Sequence, residues 1–413
     1  MGHWSWVLSR VVRQIWFRAA VISALSIALA VAAALIGPYL PYRFGGEVGQ
    51  DSVGTILQIL ASSMLAVTTF SLTAMVSAYS SATQLATPRA TQLMISDPTS
   101  QNALSTFLGA FVFSVVGIIG LQTSAYGEEG RIILFGGTVL VVAVVVVTLL
   151  RWIAHITAFG RMADVIDRVE DAATKTMTAF AAAPFIGARP PVPIPDDAAS
   201  LTCETVGYVA HIDIAALGKC AADAGITIHV VALPGTLVHP NRALLRIEGA
   251  TDDVARDTLR RAFSVERHRS FDQDPRLGLI SLSEIGSRAL SPAVNDPGTA
   301  IEVLNALHRV LECLPPERPS WEVLAGRASV HVPSHDVATM LVDAFRPIAR
   351  DGASSVEVMI RLTKTLAALA AQLPQARAKI HGFADGVAHR AARAIEEDGD
   401  RTDFSAAHAA LWT

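Results

Sequence analysis

Charge is scarce in this sequence: only 17% of its 413 residues are Asp, Glu, Lys or Arg, where a soluble globular protein carries about 25%. The shortage is concentrated in the N-terminal third, which has long uncharged runs. From about residue 156 onward the composition is that of an ordinary soluble protein. Lys and Arg number 33 against 37 Asp and Glu, a net charge of −4. That leaves no basic surplus of the kind that marks a nucleic-acid surface, so nucleic acid is not an expected partner. Cysteine is rare too. Cys203, Cys220 and Cys313 are odd in number and far apart, which excludes a complete disulfide framework and any closely spaced zinc motif. Free thiols in a reducing compartment are the expectation. Catalytic signatures are missing as well: there is no GxSxG, HExxH, P-loop, GxGxxG or HxE…CxxC arrangement. Ser291, His268 and Asp272 make a triad only on paper. No cofactor or metal is expected, and an enzymatic role ranks last.

What the N-terminal third has instead is length of apolar run. Four stretches, at about 17–36, 53–79, 103–123 and 132–152, are long enough as helices to cross a hydrocarbon core of ~30 Å. The first is too long for the apolar core of a signal peptide, and three more spans follow it, so a cleaved leader is not expected. Residues 1–16 carry Trp4, Trp6, Trp16, Arg10 and Arg13, with Trp4, Val7, Leu8, Val11 and Ile15 at helical spacing. That pattern predicts an amphipathic helix lying in the membrane interface, in contact with lipid headgroups. Asp97-Pro98 ahead of the third span is a helix-start pair, an Asp N-cap with Pro at the first helical position. Arg10, Arg13 and Arg18 flank the first span, Arg89 lies between the second and third, and Arg151, Arg161, Arg168 and Lys175 follow the fourth. This bias puts both termini in the cytoplasm.

The second span differs from the others. Thr55, Ser62, Thr69, Thr73, Ser77 and Ser80 are separated by 7, 7, 4, 4 and 3 residues, steps that keep six hydroxyls on one helix face. Leu57, Leu60, Met64, Val67 and Leu72 are expected opposite them. A lipid-facing helix gains nothing from such a stripe, so it should face protein or water. Close helix packing explains it, since small residues let backbones approach. So does a water-filled path, which needs a homo-oligomer because one helix cannot line a pore. No charged residue lies mid-span, which sets an ion-coupled transporter below a passive channel.

Past the membrane region, 156–183 should continue helically from the fourth span. The Pro-rich stretch 184–200 reads as a linker. Residues 201–250 alternate as short strands should, forming a small β-containing module, with a helix expected around Ile214–Ala224. The PGTLVHP fragment at 234–240 resembles a hairpin of biotinyl- or lipoyl-type sandwiches, although no modifiable Lys stands at its tip. Residues 251–413 are read as a helical domain that starts with a basic helix from Asp252 to about Arg269. Asp274-Pro275 and Asp296-Pro297 predict helices at about 275–290 and 297–313. Further helices are expected at about 334–350 (capped by Ser334), 353–372, 375–396 and after Asp403. Asp272, Asp274, Glu284, Arg288, Asn295 and Asp296 form the candidate polar motif of this half. The acidic members suggest a metal site less than they suggest two caps, a turn residue and a Glu284–Arg288 pair at i,i+4. The fold class is therefore a membrane α-helical protein of four spans, plus a cytoplasmic α+β region that is mainly helical with a small β module.

Three stretches carry a resemblance. ILASSMLAVTTFSLTAMVSAYSSATQLATPRA (59–90), GYVAHIDIAAL (207–217) and FDQDPRLGLISLSEIGSRALSPAVNDPGTA (271–300) resemble a family of bacterial predicted membrane proteins of unassigned role, domain of unknown function 2254. The resemblance implies a multi-pass protein of the bacterial inner membrane. It brings no activity, substrate or catalytic residue. Two roles then compete: an oligomeric, channel-like protein passing an ion or small solute along the second span, and a membrane-anchored sensor or scaffold whose cytoplasmic region binds a ligand or protein.

Overall fold

The computed structural model describes residues 14–36, 50–85, 87–95, 97–158, 161–317 and 327–412. Apart from residues 14–16, the interfacial helix expected at the N-terminus lies outside them. Contacts divide the chain into two compact units. One comprises the described residues within 14–85 and 91–164, and the other those within 165–412 together with 87–90.

The N-terminal unit is built on α1 (Ile15–Ile36), α2 (Gln50–Leu85), α4 (Pro98–Gln122) and α5 (Glu128–Ala158), with the short α3 (Pro88–Ile95) between the second and third. All four long helices are long and apolar enough to cross a membrane. α4 packs against each of the other three, which explains why so many of its residues are buried, polar ones included. Asp97 caps it as expected: its carboxylate accepts the Ser100 N–H at 2.7 Å. One core cluster gathers Ala30, Leu57, Phe113 and Leu134. A second gathers Leu60, Met64, Phe107 and Trp152. The outward faces of α1 and α5 are apolar, with Leu25, Leu35, Leu140 and Leu150 all exposed.

α5 ends at Ala158 and a separate helix, α6 (Met162–Ala182), follows, so the fourth span does not run on unbroken. Strands β1 (Ala199–Thr202), β2 (Gly207–Ile212), β3 (Thr227–Val230), β4 (Leu237–Val238), β5 (Ala243–Glu248), β6 (Phe263–Glu266) and β7 (Val330–His331) make two sheets. Their orders are β1-β5-β3-β7 and β4-β2-β6. Among the described strands, β3 and β7 pair in parallel and the other pairs are antiparallel. β3 and β4 flank Pro234-Gly235 but belong to different sheets, so this is not the hairpin that the biotinyl-type resemblance implied. Helices α7 (Ile214–Ala224) and α8 (Asp253–Arg261) close one shared core of Leu201, Val209, Leu217, Ile228, Leu244 and Leu259. The basic helix stops at Arg261, earlier than its charge pattern suggests. Phe263 and Ser264 then bury against β2, and the chain extends as β6.

The remaining helices are α9 (Pro275–Ala289), α10 (Pro297–Glu312), α11 (Val337–Asp351), α12 (Val356–Gln372), α13 (Arg377–Ala394) and α14 (Asp398–Trp412). α9 packs on α10 and α11, and α12 on α10, α13 and α14. The cap of α11 is Asp336, not Ser334. The Asp336 carboxylate accepts the Thr339 N–H at 3.2 Å, a bond an N-cap side chain makes to the third helical residue. α14 starts five residues before Asp403 and is docked by Trp412, whose Nε1–H donates to Thr363 Oγ1 at 2.8 Å.

Candidate functional site

The hydroxyl face of α2 points away from its own bundle. Thr55, Ser62, Thr69, Thr73, Ser77 and Ser80 are all exposed, whereas Val53, Leu57, Leu60, Met64, Ser71 and Met75 are buried. At 3.6 residues per turn the two sets lie on opposite sides of the helix. Val67 is half-buried, as a position nearer the bundle should be. Leu72, expected on the buried side, is exposed on the flank. Packing among the described residues therefore does not account for the stripe. Several hydroxyls bond back to their own helix: Ser62 Oγ to the Gln58 carbonyl, Thr69 Oγ1 to Leu65 and Thr73 Oγ1 to Thr69, each at 3.0 Å. Back-bonding satisfies the donors but leaves the oxygens able to accept. Phe70, Ile59 and Leu65 flank the stripe and are exposed too.

One polar arrangement in this unit was not anticipated. Asp97 is buried, and besides capping α4 it takes the Nε2 of His155 at 2.9 Å. One turn on, Arg18 Nη1 donates to Asn102 Oδ1 at 2.8 Å. The first turn of α4 is thus tied to the last turn of α5 and the start of α1. The available signal was topological: three helix ends of one membrane side, each carrying a polar residue.

In the C-terminal unit the six motif residues do not form one site. Asp274 caps α9 and is almost fully buried beside Arg269, whose Nε and Nη2 lie 2.7 and 2.6 Å from its Oδ2. Burial pushes the Asp274 carboxyl up, against the pull of Arg269 and Arg276. The turn glycine Gly235 sits directly on this pair at φ +85°, where a Cβ would meet both side chains; only a glycine accepts that conformation and that contact together. Asp296 caps α10 through the Thr299 N–H at 3.0 Å, and the Thr299 hydroxyl holds its carboxyl below the usual range. Glu284 is bonded to Arg89. Asp272 lies in the turn before α9. Among the described residues, no cluster of His, Cys, Asp and Glu is arranged to hold a metal.

Glu284, Arg288 and Asn295 do converge. With Ser287, Ser291 and Asp351 they line an open cleft of about 960 Å³. Asn295 holds its turn in the left-handed region, φ 50°, a conformation that Asn tolerates better than most residues. Asp351 is held by Ser287 and by Arg350 (2.6 Å), which keep its carboxyl below the usual range.

Four apolar helices and a C-terminal unit of mixed helix and sheet define a multi-pass α-helical membrane protein. Within that class the chain belongs to the family described as "Predicted membrane protein (DUF2254)", which matches residues 12–368. It is similar to an uncharacterised protein of Mycobacterium bovis, Mb1321c, and to one of Mycobacterium tuberculosis, Rv1290c. Each is 29% identical over 223 residues, covering 51% of this chain and 43% of the relative. The match thus takes in less than half the length of these relatives. No solved structure matches the chain.

Proposed function

We propose that the chain is a homo-oligomeric permeation protein of the bacterial inner membrane, with both termini cytoplasmic and α2 lining the path of an ion or small solute. The observation that carries this reading is the outward hydroxyl face of α2, set opposite the face that packs on α4. The outward faces of α1 and α5 offer lipid the apolar surface it favours. A row of hydroxyl oxygens offers lipid nothing and offers water a set of acceptors. Copies arranged with α2 nearest a common axis put that row where it is useful. The Lys and Arg distribution supports the orientation.

Cysteine accessibility tests it. In a chain freed of Cys203, Cys220 and Cys313, single cysteines replace Ser62, Thr69, Thr73 and Ser77, with Leu60 as a buried control and Leu72 as a flank control. Intact membranes are treated from each side with a charged, impermeant thiol reagent. Labelling along the stripe but not at the controls supports a wet path. Unreactive mid-span positions, with labelled ends, refute it for the state tested.

A second reading is a membrane-anchored sensor or scaffold. The open cleft around Glu284, Arg288 and Asn295 favours it, since convergent polar groups on a scaffold of helices are what a small polar ligand needs. Ligand-induced protection of α9 from hydrogen exchange, with an unreactive stripe, is the result that selects this reading.

A further inference from the structure

A smaller cavity in the C-terminal unit has a different character. It measures about 260 Å³ and lies where the end of α6 meets the start of α11 and the turn before α13. Phe180, Phe185, Pro315 and Val337 supply apolar wall, and Ser334, His335, Gln375 and the Lys379–Asp336 pair add polar groups to the lining. The ratio is that of a ligand site: mostly apolar surface with a few polar groups that fix orientation.

His335 is the informative residue. Its ring stands edge-on to Phe180, centroids 5.9 Å apart and planes at 63°. Neither ring nitrogen has a hydrogen-bond partner among the described residues, and the residue is half-buried. The charges acting on it are two guanidiniums, Arg276 and Arg269, and together with burial they hold the imidazole down to about 4. Both guanidiniums are already engaged, Arg276 with Asp343 at 2.5 and 3.1 Å and Arg269 with Asp274. Each guanidinium thus acts on the ring from outside the cavity lining, with its own charge offset by a carboxylate partner. At near-neutral pH the ring is a neutral imidazole that brings one N–H to the cavity lining. At the mouth, Lys379 is 57% exposed and pairs with Asp336 at 2.9 Å. Such an exposed pair exchanges partners at little cost.

We propose that this cavity binds a small aromatic carboxylate, its ring against Phe180, Phe185 and Pro315 and its carboxylate taking a hydrogen bond from His335 and the charge of Lys379. The flat apolar walls select the ring, and the His335 N–H and Lys379 ammonium select the anion over a neutral isostere. This site is independent of the α2 face, so the fate of either proposal leaves the other standing.

The test uses the full chain in lipid nanodiscs with para-fluorobenzoate as probe and para-fluorobenzyl alcohol as its neutral isostere, both followed by fluorine NMR relaxation. Saturable broadening of the carboxylate is expected, with the alcohol binding at least tenfold more weakly. Val337→Trp fills the cavity and is expected to abolish binding. His335→Leu keeps the volume, removes the N–H, and is expected to erase the preference for the carboxylate. Unsaturable broadening into the millimolar range overturns the proposal. So does binding that survives Val337→Trp in a protein melting like the parent, and so does an alcohol that binds as well as the acid. If Val337→Trp fails to fold, the carboxylate-to-alcohol ratio of His335→Leu decides: an unchanged ratio overturns the proposal.

Discussion

Gly278 on α9 lies so close against Ala173 on α6 that a methyl group built at position 278 falls 2.7 Å from the Ala173 Cα. Three hydrogen bonds hold α6 in the same place. Thr176 Oγ1 donates to the Phe271 carbonyl at 2.6 Å, and Glu170 takes Arg309 of α10 through two bonds of 2.6 Å. Gly278→Ala is therefore expected to cost about 1–3 kcal/mol through overpacking. Ala173→Gly in the same chain relieves part of the clash, so the double mutant should be more stable than the two single costs added together. Thermal unfolding in detergent, run as a double-mutant cycle, measures this coupling. A melting temperature unchanged by Gly278→Ala refutes the close approach.

The two Asp-Pro caps differ in what they lose. Asp296 is exposed and caps α10 through Thr299, so Asp296→Ala should cost about 1 kcal/mol, the ordinary value of an N-cap. Asp274 caps α9 and also neutralises Arg269 in a buried pair. Removing one partner of such a pair leaves an uncompensated charge and costs about 3–5 kcal/mol. Asp274→Ala should destabilise several times more than Asp296→Ala in parallel melts. Equal losses are the result that contradicts the buried-pair account.

These caps also mark where the sequence was legible. Asp97-Pro98, Asp274-Pro275 and Asp296-Pro297 each start a helix as read, because capping is settled within four residues of chain. Ser334 and Asp336 both had cap chemistry, and only the backbone path, which puts the Thr339 N–H within reach of Asp336, chose between them. What failed to show was long-range. β7 is two residues long, too short for any period, and exists because Ile228 and His229 offer it an edge. Glu284 has an inviting partner at i+4, yet the bond the fold gives it is to Arg89, 195 positions away. In the second span, spacing identified the hydroxyl face but not its direction. Period relates residues to one another, and only packing against α4 reveals which side is inside.

His335 gives a pH dependence with a definite sign. Its folded value is depressed to about 4 from 6.5, so the folded chain prefers the neutral ring. The stability this contributes is fully present above 6.5 and is lost as pH falls toward 4, a loss on the order of 3 kcal/mol. Asp274 works in the opposite sense. Its carboxyl is raised by burial, so its protonation preference adds stability at low pH that fades as pH rises through its folded value. His335→Gln isolates the first effect, because Asp274 is common to both proteins. The stability difference between parent and variant should shrink as pH falls from about 6.5 to 4. A difference that stays flat over that interval contradicts the buried neutral imidazole.

The direction of the α2 stripe can be separated from the fold that displays it. Ser71 is completely buried, while Thr69 and Thr73, two residues to either side, are exposed. Ser71→Leu adds bulk to a packed interface and should cost about 1–3 kcal/mol. Thr69→Leu and Thr73→Leu remove hydroxyls that bond only their own helix among the described residues, so the bundle should change by no more than about 0.5 kcal/mol. If copies meet along this face, the two exposed changes should nonetheless alter association. A disulfide cross-link between cysteines placed at Ser77 of neighbouring copies should form in the parent and weaken in the double Leu variant. That outcome would separate an assembly face from a fold-stabilising one, because stability and association would move independently. A cross-link absent from the parent, together with a stripe unreactive toward thiol reagents, would assign the face to lipid and remove the support for a path.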